Sequence, residues 1–272
     1  MDLPLTSSLP LAIGPLSIVN VALQCHPIVY LTAAKVAERL GIPYIHSLRS
    51  SLSMESLDRG CHQSTERWME LFPFEDADIL RSLVSRAGLC RFSTLFLTIG
   101  ESTTLPPSII GDPMRGKQSI HSPDLEEISP GGFPRSTHPR FLLEDPGRIT
   151  RAIEVIRSRS ELPIVLNVPI EQHTLSLDTL PVDAICLTID EYTLFHDYIA
   201  AIKRMQRHST YKTKVYASGS YFTEQEVDQL ISQGVQRVLI DQPIVWGAMI
   251  DGFQGITNVL DIYRRKLKAY HR

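Results

Sequence analysis

The sequence lacks three features that would place it in a specialised class of protein. Its 272 residues carry 27 basic and 30 acidic side chains, so the excess of positive charge typical of a nucleic-acid-binding protein is missing. It has no run of about 18 apolar residues, and we therefore predict no membrane-spanning helix. Its N-terminal segment lacks a basic start and is interrupted by Pro4, Pro10 and Pro15, so we expect no signal peptide.

Cysteine is scarce and scattered. The four cysteines are Cys25, Cys61, Cys90 and Cys186. No two of them have C-x-x-C spacing, so neither a zinc site nor an iron–sulfur cluster is predicted, and we expect no bound metal. Reduced thiols fit a cytoplasmic protein.

Short apolar runs alternate with amphipathic stretches, which is typical of a parallel sheet with crossover helices. The predicted strands cover residues 16–22, 44–46, 94–99, 163–168, 183–189, 214–219 and 235–240. One more weak strand is expected near Phe72 or Ile128. Seven or eight such units favour one TIM-like (β/α)8 barrel domain spanning 1–272 over an open sheet.

Helix boundaries and one long loop complete the predicted organisation. We predict a helix over 28–40 that ends at Gly41, and a later helix that starts at Thr223 with Glu226 completing a capping box. Residues 100–140, after the third predicted strand, are rich in proline, glycine and serine without sustained periodicity. We expect a long irregular loop on the side where barrel enzymes hold their active sites.

Several segments occur in the order found in one known family. They are A-S-G-S at 217–220, G-V-Q-R-V-L-I-D at 234–241, I-S-P at 128–130, T-I-G-E at 98–101 and L-T-A-A-K-V-A-E-R-L-G at 31–41. Together they resemble the FMN-binding barrel of the glutamate synthases. The resemblance implies a (β/α)8 barrel that uses FMN, with an iron–sulfur cluster beside it, in redox chemistry on amino acids and 2-oxo acids.

The sequence departs from that family at the positions that would contact the cofactor. Residues 46–50 contain no glycine where the family has a glycine-rich loop, and Asn167 stands where the family has a lysine. Asp241 replaces the second glycine turn of the phosphate site, where a carboxylate would repel phosphate. No cysteine follows Cys186, so the family's iron–sulfur cluster is absent.

Two segments at predicted strand ends are candidate ligand contacts. Asp241 is either a general base or polar ligand contact, or the N-cap of the last helix. Ser218, Gly219 and Ser220 either cradle an anion, such as a cofactor phosphate, or form an ordinary turn between strand and helix.

Two further residues are weaker candidates for catalysis. Asn167 either hydrogen-bonds a ligand at the barrel mouth or is a buried, internally satisfied side chain. His138 falls in a segment that matches the family, although an exposed loop histidine is the common case.

Three functions remain open from the sequence. The favoured hypothesis is a divergent barrel that has lost the flavin and iron–sulfur chemistry. It would act as a non-catalytic protein partner or homo-oligomer, or bind another small molecule, but neither nucleic acid nor a membrane. The alternative is an FMN-dependent oxidoreductase of the glutamate synthase type. A third is a lyase or isomerase on the same barrel, because a fold does not fix a function.

Overall fold

The computed structural model describes residues 9–16, 28–99, 123–126, 147–170, 180–189, 194–208, 214–219 and 222–268. Eight parallel strands close into a barrel in chain order. The strands are β1 (Leu11–Ile13), β2 (Tyr44–His46), β3 (Arg67–Leu71), β4 (Thr94–Thr98), β5 (Ile164–Pro169), β6 (Ala184–Ile189), β7 (Lys214–Gly219) and β8 (Arg237–Ile240). The predicted TIM-like barrel is therefore confirmed.

Helices connect and surround the strands. The helices of the described residues are α1 (Ile28–Leu40), α2 (Met54–Gly60), α3 (Ala77–Leu89), α4 (Pro123–Glu126), α5 (Gly147–Arg157), α6 (Phe195–His208), α7 (Glu224–Ser232) and α8 (Gln242–Lys268). None of them is long and apolar enough to cross a membrane.

The ring of strands closes through β1, which has only three residues. Leu11, Ala12 and Ile13 of β1 pair with residues 238–240 of β8, while Ile13 also pairs with Tyr44 of β2. Gly14 and Pro15 follow at once. Because proline has no N–H to donate, it suits the end of a strand rather than its interior.

Side chains alternate between two cores, as the pleat of a strand requires. The larger core lies between the strands and the helices. The smaller one fills the barrel interior and contains Ala12, Ile45, Trp68, Phe96, Val165, Ala184, Cys186, Tyr216 and Leu239. Trp68 stacks on Tyr216 with ring centroids 5.8 Å apart, and the Arg237 guanidinium lies 5.5 Å from the Trp68 ring. This interior is a solid plug, so a ligand must bind above it.

Two predicted helix boundaries follow their local chemistry. The Thr223 hydroxyl accepts from the Glu226 N–H while the Glu226 carboxylate accepts from the Thr223 N–H, so the predicted capping box is confirmed. Helix α1 ends at Leu40, as predicted from the glycine that follows, because the φ of +62° at Gly41 is costly for other residues. Helix α8 bends at Asp251 and Gly252, and its two parts cross where Gly247 meets Gly255.

Three predictions about the strands need correction. The first strand is Leu11–Ile13 rather than 16–22, of which 17–22 lie outside the described residues. Strand β3 covers Arg67–Leu71, whereas the sequence predicts only a weak strand near Phe72, because the charged Arg67 and Glu70 interrupt the apolar run. The long segment 100–140 consequently follows the fourth strand, not the third, and outside α4 it lies beyond the described residues.

Candidate active site

A ring of polar positions lies directly above the apolar plug. Each position comes two residues after a plug residue on its own strand, so its side chain faces the same interior. The ring consists of Gly14, Ser47, Glu70, Thr98, Asn167, Thr188, Ser218 and Asp241. All of them except Gly14 carry a polar side chain, and each of these seven residues is at most 8% exposed.

The ring lies at the carboxyl ends of the strands, which is the end where TIM-barrel enzymes bind their substrates. At the opposite end the buried Arg237 guanidinium covers the stacked rings, and its Nη1 donates to the Leu11 carbonyl at 3.2 Å. The change from apolar plug to polar ring within two residues on seven of the eight strands marks this mouth as the candidate site.

Five members of the ring form one hydrogen-bonded arc. Ser47 Oγ donates to Glu70 Oε2 at 2.7 Å, and Thr98 Oγ1 donates to Glu70 Oε1 at 3.0 Å. Asn167 Nδ2 lies 3.5 Å from Thr98 Oγ1, and Thr188 Oγ1 donates to Asn167 Oδ1. The donors therefore all point along the arc towards Glu70, as they would for an ionised carboxylate.

Glu70 carries the charge of this arc. Burial raises the pKa of the Glu70 carboxyl. The nearby Arg49 charge and the hydrogen bonds from Ser47 and Thr98 lower this pKa, but burial has the larger effect. The Arg49 guanidinium lies 4.9 Å from the centre of the Phe72 ring, at the end of β3. The mouth thus places one cation beside one buried carboxylate.

The other side of the ring is formed by β7, β8 and β1. Burial raises the pKa of the Asp241 carboxyl to about 6, although two backbone N–H groups act to lower it. Asp241 Oδ1 accepts from the Gln242 N–H at 2.6 Å, and its carbonyl oxygen accepts from the Ile244 N–H at 3.0 Å. Asp241 therefore caps the start of α8 and also occupies a ring position. The first fits its predicted role as an N-cap, and the second leaves its role as a ligand contact or general base a prediction.

The predicted anion cradle is partly occupied by the protein itself. The Ser218 N–H donates to the Tyr198 hydroxyl at 3.1 Å, so it is already engaged. A Cβ on Gly219 would lie 2.7 Å from Phe222 Cζ and 2.9 Å from Ile189 Cγ1, so packing alone requires glycine there. The Ser218 hydroxyl remains on the ring, and Ser220 lies outside the described residues.

Of the other candidates, Asn167 is both buried and hydrogen-bonded on two sides. His138 lies outside the described residues. Whether the candidate residues act on a ligand stays a prediction. Sequence analysis did not select Ser47, Glu70, Thr98 or Thr188 as site residues, although a glutamate inside the run W-M-E-L-F was a usable signal.

Comparisons with known proteins point to one class of enzyme. A sequence model of the FMN-dependent dehydrogenase family matches residues 5–103. The chain is 23% identical over 279 residues to 2-hydroxyacid oxidase 2 of Rattus norvegicus, covering 96% of this chain and 73% of that protein. It is 23% identical over 298 residues to L-lactate oxidase of Nostoc sp., covering 94% and 74%.

Solved structures agree on the fold. Mandelate oxidase with benzoyl-formic acid superimposes with a TM-score of 0.67 at 16% identity, covering 97% of this chain and 73% of that one. Mandelate oxidase with (S)-2-phenylpropionate gives a TM-score of 0.66 at 17% identity, with the same coverage.

These findings correct the functional hypothesis. The barrel part of the resemblance is confirmed, and the sequence model that matches residues 5–103 describes an FMN-dependent family, but the glutamate synthase assignment was wrong, because the relatives are 2-hydroxyacid oxidases. The favoured hypothesis of a non-catalytic partner is also contradicted, because the relatives are oxidases matched over nearly the whole chain. Short strand-to-helix motifs describe the scaffold, whereas chemistry depends on the residues above the plug.

Proposed function

We propose that this chain is an FMN-dependent oxidoreductase that oxidises a 2-hydroxy acid to the 2-oxo acid. The substrate loses two electrons and two protons, and dioxygen accepts them to give hydrogen peroxide. The polar ring at the carboxyl end of the barrel carries the proposal. Similarity to 2-hydroxyacid oxidases along 96% of the chain supports it.

The arc side of the ring fits a polar heterocycle such as the flavin ring system. The hydroxyls of Ser47, Thr98 and Thr188 already donate within the arc, so towards ring atoms their oxygens can only accept. The Asn167 amide, which donates one N–H to Thr98, has a second N–H that can donate to a ring nitrogen or oxygen atom. When bound, FMN would supply the two-electron redox chemistry that amino-acid side chains lack. The stacked plug below would keep the ligand at the mouth.

The phosphate side of the ring does not fit an anion while Asp241 is ionised. Barrels commonly bind phosphate through the loops after their seventh and eighth strands. Here that place holds a buried carboxyl at the start of α8. A carboxylate and a phosphate repel each other, most strongly where water is excluded.

The chain's own charges suit a hydroxy acid. Arg49 supplies a cation at the mouth that can pair with the substrate carboxylate. Glu70 is a buried carboxylate whose pKa is raised by burial, which makes its ionised form a stronger base for the hydroxyl proton. We assign Arg49 to substrate binding and Glu70 to proton transfer.

The test is reconstitution of the full chain. Purified protein is incubated with FMN, freed of excess flavin, and examined for flavin absorbance. Peroxide release is then measured with glycolate, L-lactate and (S)-mandelate. We expect a yellow protein that releases peroxide with at least one of them. Anaerobic substrate should bleach the flavin band. A colourless protein without turnover after reconstitution would overturn the proposal.

A further inference from the structure

Asp241 stands where the phosphate of a barrel-bound cofactor would ordinarily lie. It follows β8 directly, it is 8% exposed, and it begins α8. It also lies against the end of β1, since a Cβ built on Gly14 would be 3.4 Å from Asp241 Cβ. A phosphate at the start of α8 would therefore be next to this carboxyl.

Elements packed around Asp241 offer it no counter-charge among the described residues. Strand β1 contributes Gly14, and the register pairs Ser218 of strand β7 with Leu239, two residues before Asp241. Helix α8 contributes Tyr263, whose hydroxyl donates to the Phe222 carbonyl at 2.7 Å. Burial raises the pKa of Tyr263 to about 12, helped by the charges of Asp241, Glu224 and Glu226, so this phenol stays neutral.

We propose that Asp241 couples binding of the cofactor phosphate to uptake of a proton, so that the site takes FMN only with this carboxyl protonated. The inference rests on the proposed function. In its neutral form the carboxyl donates a hydrogen bond to a phosphate oxygen, whereas in its charged form it repels the phosphate. Riboflavin, which has the same ring system without phosphate, escapes this control.

Burial already prepares Asp241 for that exchange. The pKa of about 6 lies far above the usual value of 3.8, so protonation at near-neutral pH is inexpensive. If only the protonated form binds FMN, the dissociation constant rises about tenfold for each pH unit above about 6. The phosphate has its own second pKa near 6 and adds to the slope, so a variant of Asp241 is needed to separate the two.

The experiment titrates the full chain with FMN and with riboflavin between about pH 5.5 and 8.5, following flavin fluorescence. The variants are Asp241→Asn and Asp241→Ser, both of which keep a helix-capping side chain. The matched control is Asp251→Asn, which removes one exposed carboxylate from the same helix. Circular dichroism at each pH confirms that every variant is folded.

We expect wild type and Asp251→Asn to bind FMN progressively more weakly above pH 6, with riboflavin binding nearly constant. Both Asp241 variants should bind FMN about tenfold or more tightly than wild type at pH 8, with a shallower slope. The inference alone is overturned if FMN binds and the Asp241 variants keep the wild-type slope and affinity. If neither flavin binds any variant at any pH, the proposed function fails and the inference with it.

Discussion

Asp124 Oδ2 lies 3.3 Å from His46 Nε2, and neither side chain is exposed to solvent. Asp124 Oδ1 accepts from the Met54 N–H at 2.9 Å, and the Asp124 carbonyl accepts from Arg86 Nη1 at 2.7 Å. One residue of α4 thereby contacts β2, α2 and α3. It ties the middle of segment 100–140 to the barrel near the candidate site.

Replacing Asp124 with alanine should lower the free energy of unfolding by about 3 kcal/mol, because Arg86 and the Met54 N–H lose a buried partner. Urea denaturation measures the change. The control is Asp78→Ala, which breaks an exposed pair with Arg81 and should cost less than about 1 kcal/mol. Equal, small effects of the two substitutions would contradict the anchoring role.

Glu70→Gln should reduce turnover with 2-hydroxy acids about a hundredfold, because an amide cannot accept the hydroxyl proton. FMN absorbance should persist, since the neighbouring hydroxyls remain. The control is Glu66→Gln at the other end of β3, where the Glu66 carboxylate accepts from the Trp68 indole at 3.0 Å and the glutamine oxygen can do the same. A variant that keeps wild-type kcat would exclude Glu70 from catalysis.

Arg49→Met should raise KM for the 2-hydroxy acid about tenfold or more, because a charge-assisted hydrogen bond to the substrate carboxylate is lost. Arg49→Lys keeps the charge but lacks the planar two-point geometry, so its KM should lie between those of wild type and Arg49→Met. Steady-state kinetics with the best substrate measure both. Arg59→Met, at an exposed position of α2, should leave KM unchanged. An unchanged KM in Arg49→Met would place the substrate carboxylate elsewhere.

Asp241→Asn should stabilise the protein above pH 6. The folded pKa of about 6 exceeds the usual 3.8, so ionisation costs the folded state about 3 kcal/mol, a cost that grows as pH rises from 3.8 to 6. Asparagine carries no such cost and caps a helix equally well. Thermal melts at pH 8 and pH 4 check this. The variant should melt higher at pH 8, and its advantage should vanish at pH 4; an equal advantage at both would contradict the explanation.

Gly255→Ala should destabilise the protein by about 2 kcal/mol or more, because the added Cβ would collide with the backbone carbonyl of Gly247. Chemical denaturation measures the loss. Gly88→Ala in α3 is the matched control, since a Cβ there meets nothing within 4 Å. Alanine at that helical position should stabilise by about 0.5 kcal/mol or more. A neutral Gly255→Ala would mean that the two parts of α8 can separate without cost.

The elements that could be predicted were those whose signal is local. The T-x-x-E capping box at Thr223 and the glycine after α1 each settle a helix boundary without reference to distant residues. Strand β3 was hidden because its charged residues face opposite sides: Arg67 pairs with Asp58 outside the barrel, and Glu70 points inward. Only the closed sheet gives both of them partners.

Part of the candidate ring could be selected from the sequence for the same reason, although the roles of its residues stay predictions. Asn167, Ser218 and Asp241 stand near strand ends, which the sequence marks well. Ser47 and Thr98 become noticeable only when the register shows that both donate to Glu70. That relation joins three strands, and no pattern within one segment encodes it.

The one-residue-per-strand construction of the ring has an evolutionary consequence. Each member can be exchanged by a single mutation while the plug beneath and the backbone ladder beside it stay intact. A substitution within the arc from Ser47 to Thr188 removes a hydrogen-bond partner from a neighbouring member of the arc. Ser218 and Asp241 lie outside that chain of hydrogen bonds, so their substitution does not. Descendants of this barrel could therefore change the group bound at β7 and β8 more freely than the chemistry opposite.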